Sequence, residues 1–233
     1  MRPFSLFLLD LFFPPRCIYC DALVKTSGDY ACPRCQKDLP WTRGEEALQS
    51  GHYFSNCVSA AWYEGEIRSA FLQYKFYQQR ELAAAFAFSL AQAIACHFTD
   101  QYDLISWIPV SQETLASRGY DQARLLAEAV AKQLQQTAHP TLFQPYHKTP
   151  QSTLSSPQAR RLNVKGCFSL FQPALLHGKR ILLIDDVITT GATLEEAARI
   201  LRQGGATEVL CATFCRTRPA SLLDESTFYP CYF

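Results

Sequence analysis

The sequence carries almost no net charge. Its 233 residues hold 22 Lys+Arg against 21 Asp+Glu, a formal +1. That excludes a protein that coats nucleic acid by bulk positive charge, and any such contact has to come from a local patch. There is no internal repeat and no low-complexity tract. With 48% hydrophobic and 18% charged residues, the chain is expected to form a compact globule rather than a disordered or coiled-coil protein. Neither a G-x-x-x-x-G-K-[ST] loop nor a G-x-G-x-x-G turn occurs, so an ATPase or an NAD enzyme loses its usual warrant.

Export and membrane signals are also missing. Residues 1–13, MRPFSLFLLDLFF, begin with a basic and apolar stretch, but Asp10 interrupts it. Pro14, Pro15, Arg16 and Cys17 follow without a small-residue cleavage site. An amphipathic helix packed on the body fits better than a signal peptide. Residues 82–99 hold no formal charge and reach the lower length limit of a membrane span. Ser89, Gln92, His97 and the many alanines favour a buried core helix instead. The expectation is a cytoplasmic protein without a membrane span.

One further absence is local. Between Glu128 and Asp185 there is no acid, while Lys132, Lys148, Arg160, Arg161, Lys165, Lys179 and Arg180 are all positive. Such a stretch is either a solvated face or an anion site.

What the chain does have is cysteine, ten in all. With no export signal and enough residues for a core, a disulfide scaffold has neither the compartment nor the need. Cys17-Ile-Tyr-Cys20 and Cys32-Pro-Arg-Cys35 are two C-x-x-C knuckles separated by eleven residues. Each aims two thiolates at one tetrahedral ion, and the expected ion is structural Zn²⁺. A redox C-x-x-C pair or coincidental core thiols are the competing readings. With four sulfur ligands no open position remains, so the metal would hold a fold and do no chemistry. Cys211 and Cys215 lie about 13 Å apart if extended, too far for one metal or a disulfide, and read as core residues.

Residues 1–50 read as an N-terminal helix plus a metal-stapled module, and residues 51–233 as the main domain. The pattern gives strand 58–63, helices 67–77 and 82–98, strand 104–108, helix 122–136, strand 180–184, helix 193–203 and strand 208–214. Continuous apolar strands such as ILLI and EVLCATF predict an α/β fold, a parallel sheet covered by helices on both faces. Residues 144–159 are the one long structureless candidate, and loops of that length are usually functional.

The most informative segment is RILLIDDVITTGATLE, residues 180–195. A buried strand ends in two acids, and a small-residue turn then opens a helix. Thr189, Thr190, Gly191, Ala192 and Thr193 put hydroxyls and amide N–H groups around one point at a helix N-terminus, a phosphate cradle. Asp185 and Asp186 beside such a cradle need a ligand with donors, such as a sugar diol, or a bound Mg²⁺. A ribose 5-phosphate group matches both halves. The plainer reading is a capped turn with Glu195 and Glu196 as first-turn charges, which leaves the adjacent acids unexplained.

At these residues the chain resembles the type I phosphoribosyltransferases, through IDDVITTGAT. Further motifs resemble the ComF (ComFC) family of competence-associated proteins. They are LLDLFFPPRC with the cysteine knuckles, YEGEIRSAFLQYKF, IPV with RGYDQ, and KTPQSTLS followed by ARRLNVKGCF. In order they cover nearly the whole chain. The resemblance implies a type I phosphoribosyltransferase-like fold with an N-terminal zinc module, binding 5-phosphoribosyl-1-pyrophosphate with Mg²⁺. It implies that Asp185 and Asp186 hold the ribose hydroxyls and residues 189–193 the 5-phosphate. The pyrophosphate loop would be residues 108–118 with Arg118 as its cation, and a long loop from Lys148 to Lys165, carrying Arg160 and Arg161, would close over the site. Lys75 is a further cation candidate, or a snorkelling surface lysine. Two departures stand out: the family more often has Asn where this chain has Asp121, which adds negative charge near the pyrophosphate side, and often Pro where it has Ser111.

The resemblance leaves two functions. One is a phosphoribosyltransferase, a catalyst built from positioning and charge neutralisation, acting in DNA uptake during natural transformation. The other is a non-catalytic phosphoribosyl-pyrophosphate sensor or a single-stranded DNA-binding competence protein, its basic loop tracking phosphates. Competence-machinery proteins are candidate partners in either case.

Overall fold

In this computed structural model, which describes residues 13–26, 30–76, 79–145 and 164–219, the apolar runs pair into one five-stranded sheet. Its strands are β1 (Leu48–Gln49), β2 (Cys57–Trp62), β3 (Leu104–Trp107), β6 (Arg180–Ile188) and β7 (Glu208–Arg216), in the order β1-β2-β7-β6-β3. The central pairs β2·β7, β7·β6 and β6·β3 are parallel, as the continuous apolar strands predict. The sheet is nevertheless mixed. The edge strand β1 runs antiparallel to β2, because the chain turns back between residues 50 and 56 and re-enters beside itself. A separate two-stranded pair joins β4 (Leu142–Phe143) to β5 (Ser169–Leu170).

Period-two alternation along β6 builds two cores. Leu182 and Ile184 face one side, where α2 (Gly65–Phe76), α3 (Leu82–His97) and α5 (Gln122–Gln133) pack. Ile181 and Leu183 face the other, under α6 (Ala192–Gln203). Helix α6 presents Leu194, Ala197, Ala198 and Leu201, one stripe at i, i+3, i+4 and i+7. In α5 the stripe is Ala123, Leu126, Ala127, Val130 and Ala131. Phe214 from β7 stacks on Phe86 of α3 at 4.2 Å between ring centres, which ties the first core to the sheet.

Three expectations change. Residues 108–118 are not a continuous loop: α4 (Gln112–Arg118) occupies most of them, because the Ser111 hydroxyl accepts the Thr114 amide at 3.2 Å and Gly119, at φ 76°, ends the helix. Strand β6 does not stop at residue 184. Its pairing with β7 continues through Ile188↔Arg216, so both acids lie inside a strand. Helix α3 is not buried all round. Phe88, Gln92, Ala95 and Cys96 are exposed, since the cysteine module covers that flank incompletely. A cleft of about 810 Å³ separates the two there, lined by Tyr19, Trp41, Arg43, Phe88 and His97 among others, and includes none of the residues 185–193.

The cysteine module, residues 1–50 and described over 13–26 and 30–50, shares the first core. Cys17, Cys32, Cys35, Leu39 and Ala47 belong to the same buried cluster as Val58, Ala60 and Ala61 of β2. Thr42 N and Trp62 N donate across the seam to Ala60 O and Pro40 O at 3.1 and 2.8 Å. Among the described residues no helix is long and apolar enough to cross a membrane.

Candidate functional site

Strand β3 makes its last pair at Trp107↔Ile184, and β6 runs four residues further, paired with β7. The carboxyl ends of the strands are the place where open parallel sheets take ligands. Asp185 and Asp186 lie there, both partly exposed.

Strand alternation sends the two carboxylates to opposite faces. Asp186 turns toward α2, where its Oδ2 lies 3.6 Å from Lys75 Nζ. Asp185 turns toward the α6 side, which holds buried Cys57 and Cys211. Each also accepts the next amide: Asp185 Oδ1 from Asp186 N at 2.8 Å, and Asp186 Oδ1 from Val187 N at 2.7 Å. Burial pushes the Asp185 carboxyl well above the usual carboxylate range, and the neighbouring Asp186 charge adds to it. Asp121 is pushed up by burial too, with Asp186 contributing. Asp121 and Asp185 thus both feel the Asp186 charge, which Lys75 partly offsets, an arrangement that favours a bound cation or a donor-rich ligand.

The turn after β6 has the shape the sequence predicts. Gly191 sits at φ 75°, a left-handed conformation that favours glycine, and makes no side-chain bond over the first turn of α6. Thr189 is exposed, Thr190 and Thr193 are partly exposed, and Ala192 is buried. The Thr190 hydroxyl accepts the Ala192 amide at 3.4 Å. Glu195 and Glu196 are not capping charges. Glu195 reaches away to accept His52 N and Tyr53 N at 2.7 and 2.8 Å, and Glu196 accepts Gly166 N at 2.6 Å and pairs with Arg199 at 2.7 Å.

The expected cations separate. Arg118 ends α4, where its guanidinium lies 5.5 Å from the Phe76 ring centre and donates to Gln122 Oε1 at 3.3 Å. Lys75 is one residue from Phe76, and its carbonyl accepts Gln122 Nε2 at 3.2 Å, so the end of α2 gathers both cations. Lys165 is exposed beside Gly166, next to the first turns of α6. Lys148, Arg160 and Arg161, and most of the proposed closing loop, lie outside the described residues. So do residues 1–12 of the N-terminal helix expected over residues 1–13. Asp121 is a cap: its Oδ1 accepts Arg124 N at 3.0 Å and its Oδ2 accepts Val110 N at 3.4 Å.

Arg216 was not legible in the sequence. It ends β7 opposite Ile188, is 7% exposed, and stacks on Trp62 at 5.0 Å. Burial lowers its pKa. Only its position opposite the end of the acidic strand could have singled it out.

At the other end of the chain the four knuckle sulfurs lie within 4.8 Å of one another, with Cys20 and Cys32 Sγ 3.6 Å apart and no disulfide formed. A tetrahedron of sulfurs at Zn–S distances of about 2.3 Å has edges of about 3.8 Å, so the donor set fits one such ion. The backbone shapes it: Cys17 N donates to Ala22 O at 2.8 Å, and Cys32 caps α1 (Pro33–Asp38), which carries Cys35. Trp41 Nε1 braces the Cys35 carbonyl at 3.0 Å. The other described thiols divide. Cys57, Cys167, Cys211 and Cys215 are core residues, burial raising Cys57 to about 12, whereas Cys96 is exposed.

Residues 120–231 match the phosphoribosyl transferase domain family, and residues 8–48 match the double zinc ribbon domain. The chain is 30% identical over 191 residues to the DNA utilization protein YhgH of Salmonella typhimurium, spanning 80% of this chain and 78% of that protein. It is 28% identical over 219 residues to Competence protein F of Haemophilus influenzae, spanning 85% and 95%. Among solved structures, glutamine phosphoribosylpyrophosphate amidotransferase from B. subtilis aligns with a TM-score of 0.40 at 19% identity, over 61% of this chain and 30% of that one.

Proposed function

Since the chain belongs to the ComF (ComFC) family, competence and DNA utilization proteins with a phosphoribosyltransferase domain and a zinc ribbon, we propose that it binds 5-phosphoribosyl-1-pyrophosphate with Mg²⁺ and acts in the cytoplasm in DNA uptake. The observation that carries this reading is the acidic trio of Asp121, Asp185 and Asp186 beside an amide-lined turn. Asp121 and Asp185, pushed toward their neutral forms by burial and by the Asp186 charge, regain charge when a divalent cation or sugar hydroxyls face them. The turn at residues 189–193 offers N–H groups and positive helix dipole to the 5-phosphate.

In this reading Asp185 and Asp186 hold the ribose hydroxyls and the cation from the two sides of β6. Lys75 at the end of α2, and Arg118 of α4 packed on Phe76 beside it, face the pyrophosphate. Mg²⁺ would supply charge neutralisation at the departing pyrophosphate, which is where most of the help to such a reaction lies. Zn²⁺ would occupy the four thiolates as a structural ion.

Calorimetry with phosphoribosyl pyrophosphate, with and without Mg²⁺, tests the reading. The expected result is Mg²⁺-dependent binding that Asp186→Asn weakens at least about tenfold, the scale of a lost charged contact. A wild-type protein that shows no heat at millimolar ligand would overturn it.

A further inference from the structure

The last residues of the cysteine module reach the sugar-phosphate turn. Gln49, on β1, has its Nε2 3.8 Å from where a Cβ on Gly191 would lie. Beneath it Arg216 donates through Nη1 to Glu46 O and Leu48 O at 2.8 and 2.9 Å, and through Nη2 to Gln49 Oε1 at 3.2 Å. A guanidinium has donors and no acceptor. Gln49 must therefore turn its carbonyl oxygen to Arg216, which leaves the NH₂ end free to face Gly191. Among the described residues that NH₂ makes no hydrogen bond. Three and four residues on, the His52 and Tyr53 amides donate to the Glu195 carboxylate, so the segment after β1 is clamped to the first turn of α6 as well. Phosphate cradles made of backbone amides gain most from a further neutral or cationic donor at their rim.

We propose that Gln49 is a ligand-binding residue of this site, its Nε2 donating to a sugar phosphate seated against residues 189–193, with buried Arg216 as the positioning residue that fixes the amide. The zinc module then completes the site rather than merely adjoining it. This rests on the ribose-phosphate reading above, and the experiment separates the two.

Ribose 5-phosphate alone and inorganic pyrophosphate alone serve as probes in calorimetry. Gln49→Glu keeps an acceptor for Arg216, so the thermal midpoint should hold or rise, while the donors facing the phosphate become an acidic oxygen. The dissociation constant for ribose 5-phosphate should rise about tenfold or more, and that for pyrophosphate should change far less. Gln49→Leu, which removes the donors without adding charge, should give a smaller loss of about three- to tenfold in the same direction. Wild type that binds neither probe overturns the site reading itself. If wild type binds ribose 5-phosphate and both folded variants match it, or if both probes weaken equally, the role of Gln49 is overturned while the site stands.

Discussion

Asp185 shows how a single side chain sets a cost that a ligand can relieve. Its carboxyl is buried and feels the neighbouring Asp186 charge, so it holds its proton more tightly in the folded chain than in the unfolded one. Stability linked to it is present below the unfolded pKa of about 3.9 and is lost as pH rises toward the folded value. Asp185→Asn removes that loss. Its thermal midpoint at pH 7 should exceed that of the wild type, by about 2–4 °C for each kcal/mol relieved, and the two should converge near pH 4. Identical midpoints at pH 7 would mean that the carboxylate is not under this tension. The pair of acids was legible as a motif. That they diverge to opposite faces was not, because the sequence pattern ends the strand at residue 184 and only the pairing with β7 extends it.

At the scale of elements, periodicity served well where a helix lies on a flat sheet. The α6 stripe of Leu194, Ala197, Ala198 and Leu201 was readable from spacing alone. Leu201 is fully buried against the β6·β7 side of the sheet, so Leu201→Ala should lower unfolding free energy in denaturant by about 2–5 kcal/mol without changing the far-UV spectrum. A loss under about 1 kcal/mol would mean that α6 is loosely packed. Periodicity failed for α4, whose seven residues bury none of their own side chains and depend on the Ser111 cap and the Gly119 stop. It failed differently for α3. A helix apolar on most sides reads as wholly buried, yet the number of elements available to cover it is a property of the fold, and here one flank remains open.

The molecule as a whole couples a metal-ligand module to a sheet through a shared core and a shared edge. Structural zinc sites contribute about 10–16 kcal/mol to the folding of small domains, and here that energy would also hold Trp41 on Cys35 and β1 on β2. Chelation should therefore lower the thermal midpoint by about 10 °C or more, change the tryptophan near-UV signal and open residues 13–47 to proteolysis. An unchanged melt after complete chelation would show that the four thiols do not carry the module. By itself, the sequence determined the four-cysteine set, the tight turn at residues 189–193 and the places of the main strands along the chain, since each follows from local spacing or local periodicity. Only the tertiary structure decided that Arg216 lies beneath Gln49, that Lys75 meets Asp186 and that the module supplies a sheet edge. These contacts join residues far apart in the chain, and packing rather than local pattern selects them.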